Sequence, residues 1–216
     1  MPSAKRKTKK SFGGPDETDS LEKLLQKYLD GFTAHNPAAR VIANDLRVIG
    51  IGLRPVVDHL AFCTLDIHKR VKEFLPYGYR AKGASAFLRY DSWRAKIYRK
   101  PGYPALLFFE PPARAQKGNA VKDWIGTFGD ENPHHIAVKV DNIENGIFYL
   151  EKQGVAFVGG IEGDKNTKLR QVFTAPEIKS GKAFSALELT ERHAGYEGFI
   201  PQQEHGLIKA ECSCVH

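Results

Sequence analysis

The order of apolar and polar residues predicts two helices in the first fifty positions. In the stretch LEKLLQKYLDGF the apolar residues recur three or four positions apart, as one face of a helix requires: Leu21, Leu24, Leu25, Tyr28 and Leu29. Asp19 or Ser20 stands directly before this stretch, and both residue types cap helices. Pro37 marks a break, after which a second helical pattern extends from Ala38 to Leu46.

From Pro55 onward the pattern changes to short apolar runs typical of strands, separated by glycines and short helical stretches. Residues 111–133 are rich in Pro, Gly and polar residues, and we interpret them as a connection with a helical turn around Trp124. Beyond Pro133 the first pattern returns, which indicates an internal repeat.

The two copies of the repeat align without a gap. HLAFCTLDIHKRVKEFLPYGY begins at His59, and HIAVKVDNIENGIFYLEKQGV begins at His135. In each copy the histidine precedes a glycine, Gly78 or Gly154, by 19 residues. Each copy reads as a strand, a short helix and a glycine turn into further strands. The sequence therefore predicts an α+β fold of two βαβββ modules whose curved mixed sheet surrounds a cleft.

These patterns divide the chain into six parts. In order they are a disordered basic tail (1–19), a helical segment (20–54), a first βαβββ module (55–113), a connection (114–132), a second βαβββ module (133–200) and a C-terminal helix or tail (201–216).

Each copy of the repeat begins with a histidine and ends with a glutamate, and both residue types bind metal ions. His59 and His135 open the first strands, and Glu110 and Glu188 end later strands, 32 and 34 residues after the glycine of their own copy. Two imidazoles and one carboxylate on one side of an ion form a facial triad, which suits iron(II) and leaves positions for substrate and oxygen. His59, His135 and Glu188 are the candidate ligands. His134 should point to the opposite face, because side chains alternate along a strand.

Each of these residues also has an ordinary structural interpretation. A single strand histidine is more often a hydrogen-bonded core residue than a ligand, and Glu188, placed between two leucines, fits an exposed face. By the symmetry of the repeat, Glu110 is a fourth ligand or base, or the relic of a ligand lost after duplication.

Composition narrows the function classes. The net charge of +7 comes largely from KRKTKK and its neighbours, since the five bases of residues 1–14 leave 27 Lys and Arg against 25 Asp and Glu elsewhere. Such a tail is typical of a solvated terminus, a nuclear address or a nucleic-acid contact. Because the rest of the chain is almost neutral, we expect no nucleic-acid partner outside the basic tail.

Three cysteines form no disulfide framework, so a cytoplasmic location is expected, with the nucleus as the alternative that KRKTKK allows. No apolar run is long enough to span a membrane, and no membrane partner is expected.

The motifs VDHLAFCTLD, PALLFFE, NPHHIAVKV and ALELTERHAGYEGF resemble the vicinal oxygen chelate superfamily. Over about residues 20–210 the chain is most similar to the 2-oxoadipate dioxygenase/decarboxylase-like (hydroxyglutarate synthase-like) family. The resemblance implies iron(II), or another divalent metal, held by His59, His135 and Glu188. It also implies that a 2-oxo acid and dioxygen are the partners, with oxidative decarboxylation followed by hydroxylation of the shortened acid. Gln171 lies where a polar pocket residue is expected.

One position departs from the family pattern. Members that use a dicarboxylic oxo acid carry an arginine four residues after the first ligand, and Cys63 stands there in this chain. A thiol cannot form the two-pronged ion pair that a guanidinium gives. Either Arg89 or Arg170 binds the distal carboxylate, or the far end of the substrate is apolar and Cys63 fills the core.

Three other functions stay open at this stage. A glyoxalase-type metal-dependent lyase or isomerase would use Glu110, and a non-catalytic protein of the same fold would only bind a ligand. A nucleic-acid binder would depend on the basic tail.

Cys212, Cys214 and His216 form either a metal-binding cluster or a frayed end. The sequence does not define the oligomeric state.

Overall fold

Two helices precede the sheet, as predicted. The computed structural model describes residues 15–83, 86–203 and 206, so residues 1–14 of the basic tail and the cluster around Cys212 lie outside the described residues. Helix α1 (Pro15–His35) begins four residues before Asp19, inside the segment assigned to the tail, because proline favours the first turn of a helix. Asn36 accepts a hydrogen bond from the backbone N–H of Ala39 and caps α2 (Pro37–Val48). Within the described ranges, no helix is long and apolar enough to cross a bilayer.

Among the described residues, the first βαβββ module contributes four strands and the second contributes five to one sheet. The first module contains β1 (Val57–Cys63), α3 (Ile67–Arg70), β2 (Phe87–Tyr90), β3 (Trp93–Tyr98) and β4 (Ala105–Glu110). Helix α4 (Ala120–Phe128) lies in the connection. The second module contains β5 (His135–Lys139), α5 (Ile143–Lys152), β6 (Phe157–Glu162), β7 (Leu169–Thr174), β8 (Glu177–Lys179) and β9 (Lys182–Arg192).

The strand order repeats between the modules. The sheet runs β2-β3-β4-β1-β5-β9-β7-β6, and β8 pairs with β9 outside this path. The first strand of each module is parallel to the last, as β1 is to β4 and β5 is to β9. An antiparallel pairing of β1 with β5 joins the modules at the centre of the sheet. The predicted α+β fold of two βαβββ modules is confirmed.

The two aligned glycines stand at turns that require the same backbone conformation. Gly78 has φ of 90° and Gly154 has φ of 81°, so both adopt the left-handed conformation that other residues rarely tolerate. Each ends the helical part of its module and turns the chain toward the next strand. The equal spacing from histidine to glycine therefore marks equivalent turns.

The register of the strands corrects the pairing of the two glutamates. Ala61 lies beside Leu107 in the first module, and the equivalent Ala137 lies beside Glu188 in the second. Leu107, not Glu110, therefore occupies the position equivalent to Glu188. Counting from the glycines misaligned the two copies by three residues, because their loops and strands differ in length.

The two faces of the sheet carry separate cores. The outer face packs against α1, α2 and α5 in a large apolar cluster. At its centre Phe62 stacks on Phe108 with ring centroids 5.4 Å apart, and the Tyr28 ring lies edge-on 5.1 Å from Phe62. The inner face, defined here as the face that carries His59, His135 and Glu188, packs against α4 in a second apolar cluster.

Replacing Phe62 with alanine should lower the free energy of unfolding by about 3–5 kcal/mol, because the ring is fully buried and the site cannot collapse around the cavity. Denaturant unfolding followed by circular dichroism measures this loss. Phe148, which is 59% exposed, provides the matched control, and Phe148→Ala should change the same quantity by about 0.5 kcal/mol or less. Equal effects of the two variants would contradict the assigned core.

Candidate metal centre

Three adjacent strands bring His59, His135 and Glu188 together. His59 lies beside Ala137 on one side, and Glu188 lies beside Ala137 on the other. His135 is two residues before Ala137 on the same strand and therefore shares its face. Because the side chain of Ala137 is small, the side chains of His59, His135 and Glu188 can meet above it. All three are fully buried.

The distances between the polar atoms match a site for a single ion. His59 Nε2 lies 3.4 Å from His135 Nε2, and Glu188 Oε2 lies 3.3 Å and 3.5 Å from these two nitrogens. With these separations, a point about 2 Å from all three atoms exists, which is an ordinary metal–ligand distance. Among the described residues, Glu188 Oε2 accepts no hydrogen bond. Two imidazole nitrogens and one carboxylate oxygen form the donor set of a facial triad.

Asp58 and Arg192 orient the first histidine. Asp58 Oδ1 accepts a hydrogen bond of 2.8 Å from His59 Nδ1, so Nε2 is the nitrogen left for an ion. Arg192 in turn binds both oxygens of Asp58, at 2.7 and 2.8 Å. Burial opposes ionisation of Asp58, but the hydrogen bonds from His59 and Arg192 outweigh it and hold its pKa well below the usual range. Burial also opposes protonation of His59, yet the Glu188 and Asp58 carboxylates raise its pKa to about 9.

His134 orients the second histidine. Its Nδ1 lies 3.2 Å from Nδ1 of His135, so an N–H of one ring donates to the other. Burial lowers the pKa of His134 to about 4 and lowers that of His135 well below its ordinary value. Both rings are therefore neutral at pH 7. The expectation that His134 points to the opposite face is wrong, because β5 begins at His135 and strand alternation does not extend to the preceding residue.

Glu188 is held by two neighbours on the inner face. Gln171 donates from Nε2 to Glu188 Oε1 at 2.7 Å, and the Thr190 hydroxyl donates to the same oxygen. Both contacts use Oε1, so Oε2 is the oxygen that faces the imidazoles. Gln171, predicted as a polar residue of the pocket, thus lies on the inner face and contacts a candidate ligand.

Three other predicted site residues lie away from this cluster. Arg170 is next to the inward-facing Gln171 and therefore points to the outer face, where it binds Glu144 at 2.8 Å and Glu191 at 3.1 Å. Arg89 is exposed on the edge strand β2. Glu110 binds Arg94 at 2.6 Å. The one group of candidate ligands that the described residues bring together contains His59, His135 and Glu188, and Glu110 does not join it.

The inner face of the first module is apolar around Cys63. This side chain is 3% exposed and belongs to the inner apolar cluster. The residues of strands β2, β3 and β4 in that cluster carry no charge: Leu88, Trp93, Ala95, Ile97, Ala105, Leu107 and Phe109. Neither arginine proposed to replace the missing guanidinium lies on this face.

Phe199 covers the candidate centre. Its ring centroid lies 5.0 Å from the His59 ring. The guanidinium groups of Arg192 and Arg99 lie 4.9 Å and 5.5 Å from the centre of the same ring. Phe173 packs 4.9 Å from His135. An aromatic ring therefore packs against each of the two candidate histidine ligands.

Several residues of the site were not predicted, although the sequence carries a signal for some of them. Thr190 and Arg192 follow Glu188 at steps of two, so strand alternation places all three on one face. Asp58 directly precedes His59, where alternation points away from it, and Phe199 lies in a segment without regular structure. No pattern indicated these last two.

Solved structures identify the fold, whereas no family model and no curated protein matches the sequence. Hydroxyglutarate synthase of Oryza sativa, solved in complex with 2-oxoadipate, is 15% identical, with a TM-score of 0.72 and coverage of 99% of both chains. A candidate hydrolase of Shewanella frigidimarina is 15% identical, with a TM-score of 0.67 and coverage of 84% of this chain and 98% of that one.

A variant of 4-hydroxymandelate synthase from Streptomyces coelicolor is 19% identical, with a TM-score of 0.60. The match covers 77% of this chain and 57% of that longer one. The two synthases are enzymes of the vicinal oxygen chelate superfamily. The duplicated βαβββ modules found here agree with those predicted from the repeat, and the chain has the vicinal oxygen chelate fold.

Proposed function

We propose that this chain is a non-haem iron(II) dioxygenase that oxidatively decarboxylates a 2-oxo acid and hydroxylates the shortened product. The observation that carries the proposal is the buried triangle of His59 Nε2, His135 Nε2 and Glu188 Oε2, with sides of 3.3–3.5 Å. The 2-oxoadipate bound to the rice synthase of similar fold supports a 2-oxo acid as the substrate class.

The side chains around the triangle have separate tasks. Iron(II) held there would supply Lewis acidity and redox chemistry at open coordination positions. Asp58 fixes the ring of His59 and keeps its Nε2 directed at the ion. Gln171 and Thr190 bind one oxygen of Glu188 and leave the other to coordinate. Phe199 and the apolar inner face exclude water, which strengthens electrostatic interactions within the cleft.

The inner face favours a substrate whose far end is apolar. A distal carboxylate would need a guanidinium, but Cys63 stands at the family position, and the outer-face Arg170 is already bound by two carboxylates. Arg89 is exposed at the edge of the sheet. A second carboxylate placed beside Cys63 would lose its hydration without gaining a partner. We therefore propose a 2-oxo acid with an aliphatic or aromatic side chain.

Replacing Glu188 with glutamine should weaken iron(II) binding about a hundredfold or more, because an anionic ligand becomes a neutral amide of the same size. Anaerobic titration of the metal-free protein with iron(II), followed by calorimetry, measures the change. Glu110→Gln is the matched control and should leave the affinity within about twofold, since Glu110 binds Arg94. Unchanged binding in Glu188→Gln would contradict the assigned centre. A loss in Glu110→Gln would favour the lyase or isomerase alternative.

Oxygen uptake by the iron(II)-loaded protein should depend on 2-oxo acids and should prefer those with apolar side chains. In a panel of equal chain length, we expect kcat/KM for a monocarboxylic acid to exceed that for the dicarboxylic one by about tenfold or more, because burial of an unpaired carboxylate costs over 1 kcal/mol. An oxygen electrode and carbon dioxide release provide the measurement. A preference for the dicarboxylic acid would contradict the proposed apolar end.

Replacing Phe199 with alanine should speed removal of the bound metal by a chelator about tenfold, because the ring covers His59. Stopped-flow absorbance of a chromogenic chelator measures the rate. Phe87→Ala is the control, since that ring is 51% exposed on the edge strand, and its rate should equal that of the parent. If Phe199→Ala left the rate unchanged, the metal would leave by another route.

A further inference from the structure

A basic pocket lies outside the candidate metal centre, between the start of β1, the turn before β4 and the end of β5. Its volume is about 630 Å³. Its charged lining consists of five cations and one carboxylate: Arg54, Lys82, Arg99, Lys100, Lys139 and Glu197. We call these residues the basic pocket. No residue of this set is a candidate metal ligand.

Most of these cations lack an opposite charge nearby. Arg54 pairs with Glu22 at 2.7 Å. Arg99 donates to the backbone carbonyl of Glu197, which carries no net charge. Lys82, Lys100 and Lys139 form no ion pair with a residue that the structure describes. The pocket therefore keeps an excess of positive charge that its own walls do not neutralise.

This excess is local. Outside residues 1–14 the chain carries 27 Lys and Arg against 25 Asp and Glu, so the body as a whole is almost neutral. Five cations facing one carboxylate in a single concavity are far from that balance. A cleft lined by one sign of charge concentrates its field and attracts counter-ions.

Arg99 lies in an environment that disfavours its positive charge. Burial and the positive charge of Arg192 lower the pKa of Arg99. Arg192 forms an ion pair with Asp58 at 2.7 Å, whereas Arg99 donates a hydrogen bond to the carbonyl of Glu197 and, among the described residues, feels the carboxylates of Glu197 and Asp58 only without an ion pair. Lys100 and Arg54 lie 5.1 Å and 5.7 Å from the centre of the Tyr103 ring, which brings both cations to the same aromatic side chain of the pocket.

We propose that the basic pocket binds a small molecule through a phosphoryl or diphosphoryl group. A phosphoryl group carries close to two negative charges and three acceptor oxygens, so one group contacts cations on several walls, whereas a carboxylate carries one charge in one plane. The volume lies within the range of about 300–1,000 Å³ typical of small-molecule sites. This inference is independent of the proposed function, because the pocket and the metal centre share no residue.

The test is calorimetric titration of the full chain, without metal, with inorganic pyrophosphate at about 0.15 M salt, where long-range attraction is screened. Replacing Lys100 and Lys139 together with glutamine should weaken pyrophosphate binding by about tenfold or more, because two uncompensated cations are lost. The matched control is Lys23→Gln with Lys117→Gln. It removes the same charge from two exposed positions outside the pocket, keeps residues 1–14, and should change the affinity less than about twofold.

Citrate and a single-stranded DNA oligonucleotide complete the set of probes. Pyrophosphate binding that is weakened only by the Lys100/Lys139 pair supports the proposal. Equal loss in both double variants would assign the binding to overall charge and overturn it. Tighter binding of citrate than of pyrophosphate, or pocket-dependent binding of DNA without pyrophosphate binding, would also overturn it. So would the absence of binding by any of these anions.

Discussion

The candidate centre depends on the alignment of three central strands around Ala137. Because β1 and β5 are antiparallel and β5 and β9 are parallel, Ala137 has His59 on one side and Glu188 on the other. A shift of one residue in either pairing would move one ligand to the opposite face, since the period of a strand is two. A large side chain at 137 would fill the space where the three ligand atoms meet. The pairing of the two modules therefore determines the geometry of the site.

Burying these polar groups requires the network around them. A buried carboxylate or imidazole without a partner is costly, and Asp58, Arg192, Gln171 and Thr190 provide those partners. One acceptor, Oε2 of Glu188, stays without a hydrogen bond among the described residues. An ion at that point would satisfy it and would also separate the two imidazole nitrogens. Buried ion pairs alone contribute little net stabilisation. The main effect of this charge network is therefore to orient the candidate ligands, and its contribution to the free energy of unfolding is smaller.

The sequence predicted the duplicated architecture and the three residues that meet, because strand openings and glycine turns leave a repeat with fixed spacing. It aligned Glu110 with Glu188 where the strands align Leu107 with Glu188, since distances counted along the chain pass through loops of different length, whereas strand register fixes equivalence in space. Arg170 was predictable as an outer-face residue, because its neighbour Gln171 was expected in the pocket. The contact of Phe199 with His59 was not predictable, because the two residues are 140 positions apart and Phe199 lies in an irregular segment.

The ring of Phe199 separates two environments that would otherwise adjoin. On one side lie the buried centre and the apolar cluster of the inner face. On the other side Arg99 belongs to the basic pocket, and its guanidinium lies 5.5 Å from the same ring. Cations near an aromatic face are stabilised by the ring, so Phe199 and the two arginines hold one another in place. Loss of that ring would bring solvent and positive charge toward His59. The Phe199 ring therefore lies between the buried candidate metal centre and the basic pocket.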